Sequence, residues 1–225
     1  LVTVVSALAG VTDRLLLLAN VALAGDQRDV DAQMAVVHKL HRDVAVAIVS
    51  GVRARQALLK EIESAFADLR TLLHGVSSLR ELTPRTRDFI VARGEQLSAR
   101  LVVAGLQSRG MRAEYVDAPE LILTDGKFGG AFPDLPATDR AVRARLLPML
   151  KRKLLPVIPG FVGASPDGAV VTLGRGGSDL SATVIGRALR AERITLWKDV
   201  PGLMTTDPRL VPTARIIPQL NVREA

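Results

Sequence analysis

The 225-residue sequence contains no cysteine, few aromatic residues and no uninterrupted apolar run long enough to cross a membrane. Without cysteine the chain can form neither disulfides nor a thiolate nucleophile, and this composition fits a reducing, cytoplasmic compartment. Aromatic residues make up 3% of the chain, too few for the stacking surfaces of nucleic-acid binders. The net charge of +7 comes from scattered arginines, which indicate solvated helix faces and sites for small anions. We therefore predict neither nucleic acid nor a membrane as partner.

The first 25 residues are strongly apolar, but Thr12, Asp13 and Arg14 interrupt them before the ~20 residues that a transmembrane helix needs. No basic leader precedes the apolar run, so a signal peptide is not expected either. We predict instead a buried strand over residues 1–6, a glycine-containing loop, and a helix capped near Thr12 or Asp13.

From about Asp29 to His74, apolar residues recur at intervals of three and four, which predicts a helical hairpin with Gly75 as its C-terminal stop. His38 and His41 lie one turn apart in this stretch. We assign them packing or surface roles rather than a metal site, because no third ligand is near in sequence. His74 is expected to interact with the last carbonyl groups of its helix.

Thr83 and Pro84 are typical of a helix N-terminus, as N-cap and first helical residue. Gly94 follows within the same apolar pattern, so we predict a helix with a functional break at that glycine. Farther on we predict a strand near AEYVDA, a helix over about 138–152, and strands at LLPVI, AVVTL and ITLW. This alternation predicts an α/β fold with a largely parallel sheet.

The segment AVVTLGRGGSDLSATVIGRALRAE is the most informative one. A β-branched strand ends at Leu173, a glycine-rich turn carries Arg175, and a helix is predicted to begin at Ser178 or Asp179. Three glycines in four positions allow a ligand to approach the backbone, the helix offers free N–H groups, and the arginine adds a bidentate cation. We predict an anion site here, although neither a Walker A nor a dinucleotide pattern is present.

A second charged loop, WKDVPGLMTTDPRLVP, follows the predicted ITLW strand and contains Lys198, Asp199, Asp207 and Arg209. Charged groups beyond the carboxyl end of a strand suit a nucleotide site in an open α/β sheet. From the spacing alone, a solvated charged loop is an equally good interpretation.

The stretch DGKFGGAFPD, residues 125–134, contains a Lys-Phe-Gly-Gly sequence of the kind that places an ammonium beside a transferring phosphoryl group in some kinases. Pro133 and Pro136 argue against a helix directly after these glycines. We therefore interpret Lys127 as a loop residue and the match as coincidental.

Taken together, the segments resemble the aspartate kinase family of the amino-acid kinase fold. VVSALAGVTDRLL, RGEQLSARL, TLGRGGSDLSATVIGRAL and WKDVPGLMTTDPR follow the family's order, and WKDV with ELTPRTRDF is closest to the plant-type monofunctional branch and its bacterial relatives. The resemblance implies one three-layer α/β catalytic domain over residues 1–225, with a largely parallel central sheet, a helical insertion at about 29–74 and a nucleotide side at about 170–225. It also implies transfer of the γ-phosphoryl group of ATP, with Mg²⁺, to the β-carboxylate of L-aspartate, in the synthesis of lysine, threonine and methionine.

The resemblance further assigns site residues. The implied substrate side comprises Thr12, Glu95, Phe161, Arg175, Gly176, Gly177 and Ser178. Glu95 would receive the α-ammonium of aspartate, Arg175 would bind a carboxylate, and Asp179 would orient the phosphate-binding lysine. The implied nucleotide side comprises Lys198, Asp199, Met204 and Arg209, although many family members have Thr and Tyr in place of Lys198 and Met204.

The family's own Lys-Phe-Gly-Gly precedes the VVSALAG segment. The resemblance thus leads us to expect that lysine upstream of residue 1, and a nucleotide-site lysine and regulatory ACT domains beyond residue 225. Such a fragment would be nearly inactive alone, and the full-length protein is expected to be a homo-oligomer. The alternatives are a kinase for acetylglutamate, glutamate or a nucleotide monophosphate, whose families lack the long helical insertion, or a non-catalytic ligand-binding module.

Overall fold

The computed structural model describes residues 1–198, 202–219 and 221, and the chain divides into two compact units, Leu1–Glu192 and Arg193–Ala225. The first unit contains, in order, β1 (Thr3–Val5), α1 (Val11–Ala24), α2 (Gln27–Ile48), α3 (Val52–Leu79), α4 (Pro84–Gln107), β2 (Ala113–Tyr115), a 3₁₀ turn (Ala118–Glu120), α5 (Leu135–Lys151), β3 (Leu155–Pro159), β4 (Val162–Ala164), β5 (Val170–Thr172) and α6 (Gly177–Leu189). Within the described ranges, no helix combines the length and apolar character needed to span a bilayer.

A parallel sheet in the order β1-β3-β2 lies at the centre of the first unit. All residues of β3 are buried, whereas the edge strand β1 is half-buried rather than fully buried as predicted, because it pairs on one side. β4 and β5 form a separate antiparallel hairpin. The predicted α/β arrangement with a largely parallel sheet is confirmed. β4 was not predicted, because three residues that include Gly163 carry no readable alternation.

The predicted helical hairpin is confirmed as α2 and α3, which pack on α1 and α4 around a shared apolar cluster. The predicted stop at Gly75 is wrong, because α3 continues to Leu79 and ends at Arg80 in the left-handed conformation. Gly75 is exposed and leaves the helix's buried face intact, with Leu73 and Val76 on either side of it in the core. One exposed glycine therefore does not end a helix whose buried face continues.

Helix α4 is continuous, so the predicted break at Gly94 is also wrong. A Cβ atom at this position would lie 3.0 Å from the Cβ of Ala7 and 3.2 Å from the Cδ1 of Leu15. The glycine thus permits close packing of α1 and the loop before it against α4. Buried residues of α4 contribute to all three apolar clusters of the first unit, one with the helical hairpin, one with the β-hairpin, and one with β2 and β3.

Side-chain caps set the beginnings of α4 and α5. The hydroxyl of Thr83 accepts the N–H of Thr86 at 3.1 Å, which confirms the predicted N-cap. Helix α5 begins at Leu135, three residues before its predicted start, because the carboxylate of Asp134 accepts the N–H of Ala137 at 2.9 Å.

The histidines of the helical hairpin have packing roles, as predicted for two of them. His41 is fully buried with its ring against Phe66, and His38 packs against the same ring. The prediction for His74 is wrong, because its Nε2 lies 3.6 Å from the Oδ1 of Asp31 in α2 and the helix extends beyond it. Within residues 1–198, 202–219 and 221, no three His, Cys, Asp or Glu side chains form a metal-binding group.

The second unit contains an antiparallel bridge between Met204 and Ile216. The N–H of Thr205 donates to the carbonyl oxygen of Arg215 at 2.9 Å beside this bridge. The strand predicted at ITLW, residues 194–197, is wrong: these residues are exposed and make no bridge to any other described residue. β-branched composition alone does not make a strand without a hydrogen-bonded neighbour.

Candidate active site

The parallel strands β1 and β3 end side by side, so their carboxyl ends are adjacent. The N–H of Gly160, just after β3, donates to the carbonyl oxygen of Val5, the last residue of β1, at 2.8 Å. The loop that follows β1 and the turn that follows β3 therefore leave the sheet at the same end, the carboxyl end of the strands. Open α/β sheets bind their ligands at the carboxyl ends of their strands. Of the predicted substrate residues, Thr12 follows the first of these segments at the start of α1, and Phe161 lies in the second.

Glu95 is a buried carboxylate in the middle of α4, with 3% of its surface exposed. Burial raises the pKa of Glu95 to about 7, and this shift is opposed by the backbone of Ala7 and the hydroxyl of Thr12, which lie within hydrogen-bonding reach. Its Oε2 atom has no hydrogen-bond partner among the described residues. A buried carboxylate oxygen in this state can accept N–H groups from a cationic ligand.

The start of α1 determines the position of Thr12. This helix begins at Val11 after Gly10, which has a φ of 74° and provides no side-chain cap. The prediction that Thr12 or Asp13 caps the helix is therefore wrong, because the left-handed glycine makes the turn instead. Thr12 lies in the first helical turn, where its hydroxyl contacts Glu95. The structure thus brings these two predicted substrate residues together.

Phe161 has a φ of 67°, a left-handed conformation that aromatic residues rarely adopt. Its N–H donates to the Oγ of Ser181 at 3.0 Å, and its carbonyl oxygen accepts the N–H of Leu173 at 2.8 Å. The hydroxyl of Ser181 donates in turn to the carbonyl oxygen of Gly177 at 2.8 Å. A Cβ on Gly177 would lie 2.5 Å from the Cδ2 of Phe161. Backbone strain held by surrounding bonds in this way is typical of functional sites.

Ser181 was not predicted as a site residue. It is fully buried and lies one helical turn after Gly177. The available signal was its position as a hydroxyl residue on the apolar face of a helix that follows a glycine turn, where a buried hydroxyl needs a partner.

The glycine-rich turn leads directly into α6. Gly176 is the left-handed N-cap with a φ of 71°, and the helix begins at Gly177, one residue before the earlier of its two predicted starts. The N-cap glycine has no side chain to bond the N–H groups of the first turn, and the N–H of Gly177 donates to the carbonyl oxygen of Gly174 at 3.0 Å. Arg175 is exposed and forms no ion pair with any residue that the structure describes. Ser178 and Asp179 lie half-buried in the first turn. This combination of cation and helix N-terminus suits an anion.

Lys127 lies in a loop, as predicted, and its side chain is exposed. The Oδ1 atom of Asp125 accepts the N–H of Lys127 at 3.1 Å and that of Phe132 at 3.0 Å, which closes the loop on itself. No helix follows the two glycines directly, since α5 begins only after the loop ends at Asp134.

Asp88 is a second buried carboxylate of α4 that was not predicted as a site residue. Its oxygens accept hydrogen bonds from the backbone N–H of Gly129 and from both the N–H and the hydroxyl of Thr172. The signal in the sequence was its spacing from Glu95. Seven residues separate the two, which places both acids on one side of a helix whose neighbouring positions are apolar.

The residues predicted for the nucleotide side belong to the second unit. Arg209 pairs with Asp207, with 2.8 Å between Nη2 and Oδ2, so these two members of the charged loop neutralise one another. Met204 is half-buried in its bridge, and Lys198 is exposed. Asp199 lies outside the described residues.

The chain is similar to known proteins over its whole length. The family model of the amino acid kinase family matches residues 1–225. The chain is 35% identical to lysine-sensitive aspartokinase 3 of Escherichia coli K12, over 99% of this chain and 47% of the relative, and 39% identical to chloroplastic aspartokinase 3 of Arabidopsis thaliana, over 100% of this chain and 40% of the relative. It therefore spans less than half the length of these curated relatives.

The solved structures extend the agreement to the fold. E. coli aspartokinase III in complex with aspartate and ADP matches with a TM-score of 0.82 and 32% identity, over 96% of this chain and 46% of that one. The same enzyme in complex with lysine and aspartate matches with a TM-score of 0.80. The predicted amino-acid kinase fold is confirmed, and the chain belongs to the amino acid kinase family.

Proposed function

We propose that residues 1–225 are the catalytic domain of an aspartate kinase, which transfers the γ-phosphoryl group of ATP to the β-carboxylate of L-aspartate. The observation that carries the proposal is the buried carboxylate of Glu95, with one oxygen that has no partner among the described residues, on the helix that packs against the loop following β1. The similarity to aspartokinases over the whole chain supports the same substrate. The E. coli relative was solved with aspartate and ADP, and we propose the corresponding ligands here.

Glu95 recognises the α-ammonium of the substrate in this proposal. Its unpartnered Oε2 accepts an ammonium N–H, and the charge of the ammonium favours the ionised carboxylate, which burial disfavours in the free protein. The contact between Thr12 and Glu95 orients the carboxylate. An N-acylated acceptor has no ammonium to offer, so this contact selects for a free amino acid.

Arg175 and the first turn of α6 recognise the carboxylates of the substrate. The guanidinium binds one carboxylate in a bidentate manner, and the hydroxyl of Ser178 and the N–H groups of the turn donate further hydrogen bonds. Phe161 forms a wall beside them, fixed by its contact with Gly177. A dicarboxylate with one free ammonium matches this set of groups.

The reaction needs no general base, because the attacking carboxylate is already ionised at neutral pH. An oxygen of the β-carboxylate forms a bond to the γ-phosphorus, the bond from that phosphorus to the β–γ bridging oxygen breaks, and the electron pair leaves with ADP. The protein's contribution is positioning and charge stabilisation. We propose that Asp179, in the first turn of α6, orients the phosphate-binding lysine that the family resemblance implies.

Lys198, Asp199, Met204 and Arg209 are proposed to bind the nucleotide. Mg²⁺ is proposed to arrive with the phosphates of ATP, where it neutralises their charge. This fits the described residues, which hold no cluster of three acidic or histidine ligands, because Mg²⁺ is commonly held by phosphates, waters and one or two carboxylates. The full-length protein is proposed to form homo-oligomers.

The test is a panel of acceptors given to the full-length protein with MgATP, followed by ADP release and by trapping of acyl phosphate with hydroxylamine. L-Aspartate is the expected acceptor. N-Acetyl-L-aspartate is the matched control, because it keeps both carboxylates and lacks only the ammonium, and we expect no product from it. A preference for N-acetylglutamate, glutamate or a nucleotide monophosphate would contradict the proposal, and so would nucleotide and aspartate binding without turnover.

A further inference from the structure

Three hydrogen bonds attach Asp88 to two segments that are distant in sequence. Its Oδ2 accepts the N–H of Gly129 at 2.9 Å and the N–H of Thr172 at 2.8 Å, and its Oδ1 accepts the hydroxyl of Thr172 at 3.0 Å. Only 3% of the residue is exposed. A carboxylate is costly to bury without partners, and both of its oxygens are bonded here, so the cluster is a specific connection and not an accident of packing.

Both attached segments adjoin the glycine-rich turn of residues 174–177, which is called the anion turn below because it is the predicted anion site. Thr172 ends β5, three residues before Arg175, and its carbonyl oxygen accepts the N–H of Ala131 at 2.9 Å. A Cβ on Gly174 would lie 3.4 Å from the Cα of Gly130, so the turn packs directly against the 125–134 loop. The carboxylate therefore holds the strand that leads into the turn and also the loop that supports it.

Asp88 and Glu95 belong to the same continuous helix, seven residues or about 10 Å of helical rise apart. The helix thus carries the proposed ammonium acceptor at one point and the anchor of the anion turn at another. Because an α-helix is stiff over two turns, these contacts link the position of Glu95 to that of the backbone beside Arg175.

We propose that Asp88 is a positioning residue that sets the separation of the ammonium-binding and carboxylate-binding groups, and thereby the length of amino acid that the site accepts. The inference rests on the proposed function for the identity of the substrate. It does not require Asp88 to touch the substrate. Loss of the three hydrogen bonds releases β5 and the loop, so the anion turn is no longer held at the distance that suits aspartate.

The test uses the full-length protein with Asp88→Ala, Asp88→Asn and Thr172→Val. An asparagine at position 88 can satisfy the same pattern, because its carbonyl oxygen accepts the two N–H groups and its amide donates to the Thr172 hydroxyl, which can also act as acceptor. Thr172→Val removes only the hydroxyl bond. The control is Ile62→Val, a mild core change in α3 that lowers stability without contacting the loop or β5.

For Asp88→Ala we expect the KM for aspartate to rise by about tenfold to 100-fold, since small misplacements in a site have effects of that size, with the KM for ATP within about twofold of wild type. Discrimination against L-glutamate, one methylene longer, should fall. Asp88→Asn should remain within about threefold of wild type, and Ile62→Val should lower the Tm with both KM values unchanged.

An unchanged KM for aspartate in folded Asp88→Ala would overturn the proposal, as would equal impairment of Asp88→Asn and Asp88→Ala. If Asp88→Ala does not fold, Thr172→Val decides: a rise in the KM for aspartate alone supports the proposal, and no rise, or equal rises in both KM values, overturns it. The wild-type acceptor panel is measured first. If wild type prefers another acceptor, the proposed function fails, and the same comparison with that acceptor still tests Asp88.

Discussion

Gly160 and Ser178 are in such close contact that a Cβ atom on Gly160 would lie 2.8 Å from both the Cβ and the Oγ of Ser178. It would also lie 2.9 Å from the Cα of Ser178, so a rotation of the serine side chain cannot relieve the clash. The turn after β3 and the first turn of α6 are therefore packed with no room for a side chain between them.

Gly160→Ala should displace the first turn of α6. Overpacking at a buried contact typically costs about 1 to 3 kcal/mol, and we expect a loss of that size in the free energy of unfolding together with weaker aspartate binding. Gly75→Ala is the matched control, because a Cβ there meets nothing within 4 Å inside α3, and it should gain about 0.5 to 1 kcal/mol. Urea denaturation and aspartate titration of both variants measure these effects. A neutral Gly160→Ala would refute the close contact.

The pH dependence of activity should report the ionisation of Glu95. Because burial raises its pKa to about 7 and only the ionised form attracts an ammonium, kcat/KM for aspartate should fall by about tenfold per pH unit below pH 7. The measurement is a pH profile of kcat/KM from pH 5 to 9. Glu95→Gln should give a much lower and flat profile over this range. An acidic limb with a midpoint near pH 4.5 would contradict the assignment.

The same carboxyl should make stability depend on pH. Its folded-state pKa lies above the unfolded value, so folding favours the protonated form, and the cost of ionising the buried group grows from about pH 4.5 and is complete above pH 7. Glu95→Gln removes this cost. The free energy of unfolding of Glu95→Gln minus that of wild type should be about 2 to 3 kcal/mol larger at pH 8 than at pH 5. Urea denaturation of both proteins at the two pH values measures this difference. A difference that is constant with pH would refute the raised pKa.

Arg175→Ala should weaken aspartate binding and leave folding intact. The side chain is exposed and makes no ion pair within the described part of the chain, so its removal leaves no buried partner behind. We expect a loss of about 2 kcal/mol, the usual size for a hydrogen bond to a charged group. Calorimetric titration with aspartate measures it. Arg53→Ala removes an exposed arginine from the first turn of α3 and serves as the charge-matched control. Equal affinities of the two variants would exclude a role for Arg175.

Lys127→Ala should change turnover by less than about twofold. The lysine side chain is exposed in a loop that Asp125 closes through backbone N–H groups, so the substitution leaves the loop's own bonds in place. A group that stabilised the transferring phosphoryl would contribute about 100-fold or more. A loss of that size in aspartate-dependent ADP release would show that Lys127 acts in the reaction.

Local sequence patterns predicted those parts of the molecule that are determined locally. The glycine-rich turn, the cap at Thr83 and the helical hairpin each depend on residues close together in the chain. The two glycine errors have different causes. Gly94 marks a close contact with Ala7, which comes from tertiary packing, whereas Gly75 lies on the exposed side of α3, whose buried face continues past it.

The sequence motifs proposed members of the candidate site but did not show how those members are connected. Motifs located Glu95 and Arg175, whereas the bonds of Asp88 and Ser181 join segments that the sequence does not show to be adjacent. The left-handed backbone of Phe161 was equally unpredictable, because an aromatic residue adopts it only when its neighbours impose it.

The contribution of α4 to all three apolar clusters has a mechanical consequence. The α2–α3 hairpin, the β-hairpin and the central sheet all pack against helix α4, so none of them should unfold without affecting it. We therefore expect the backbone amides of α4 to exchange with solvent only when the first unit unfolds extensively. Glu95 lies in the middle of α4. A displacement of the α2–α3 hairpin would therefore be transmitted through a continuous helix to Glu95, the proposed ammonium acceptor.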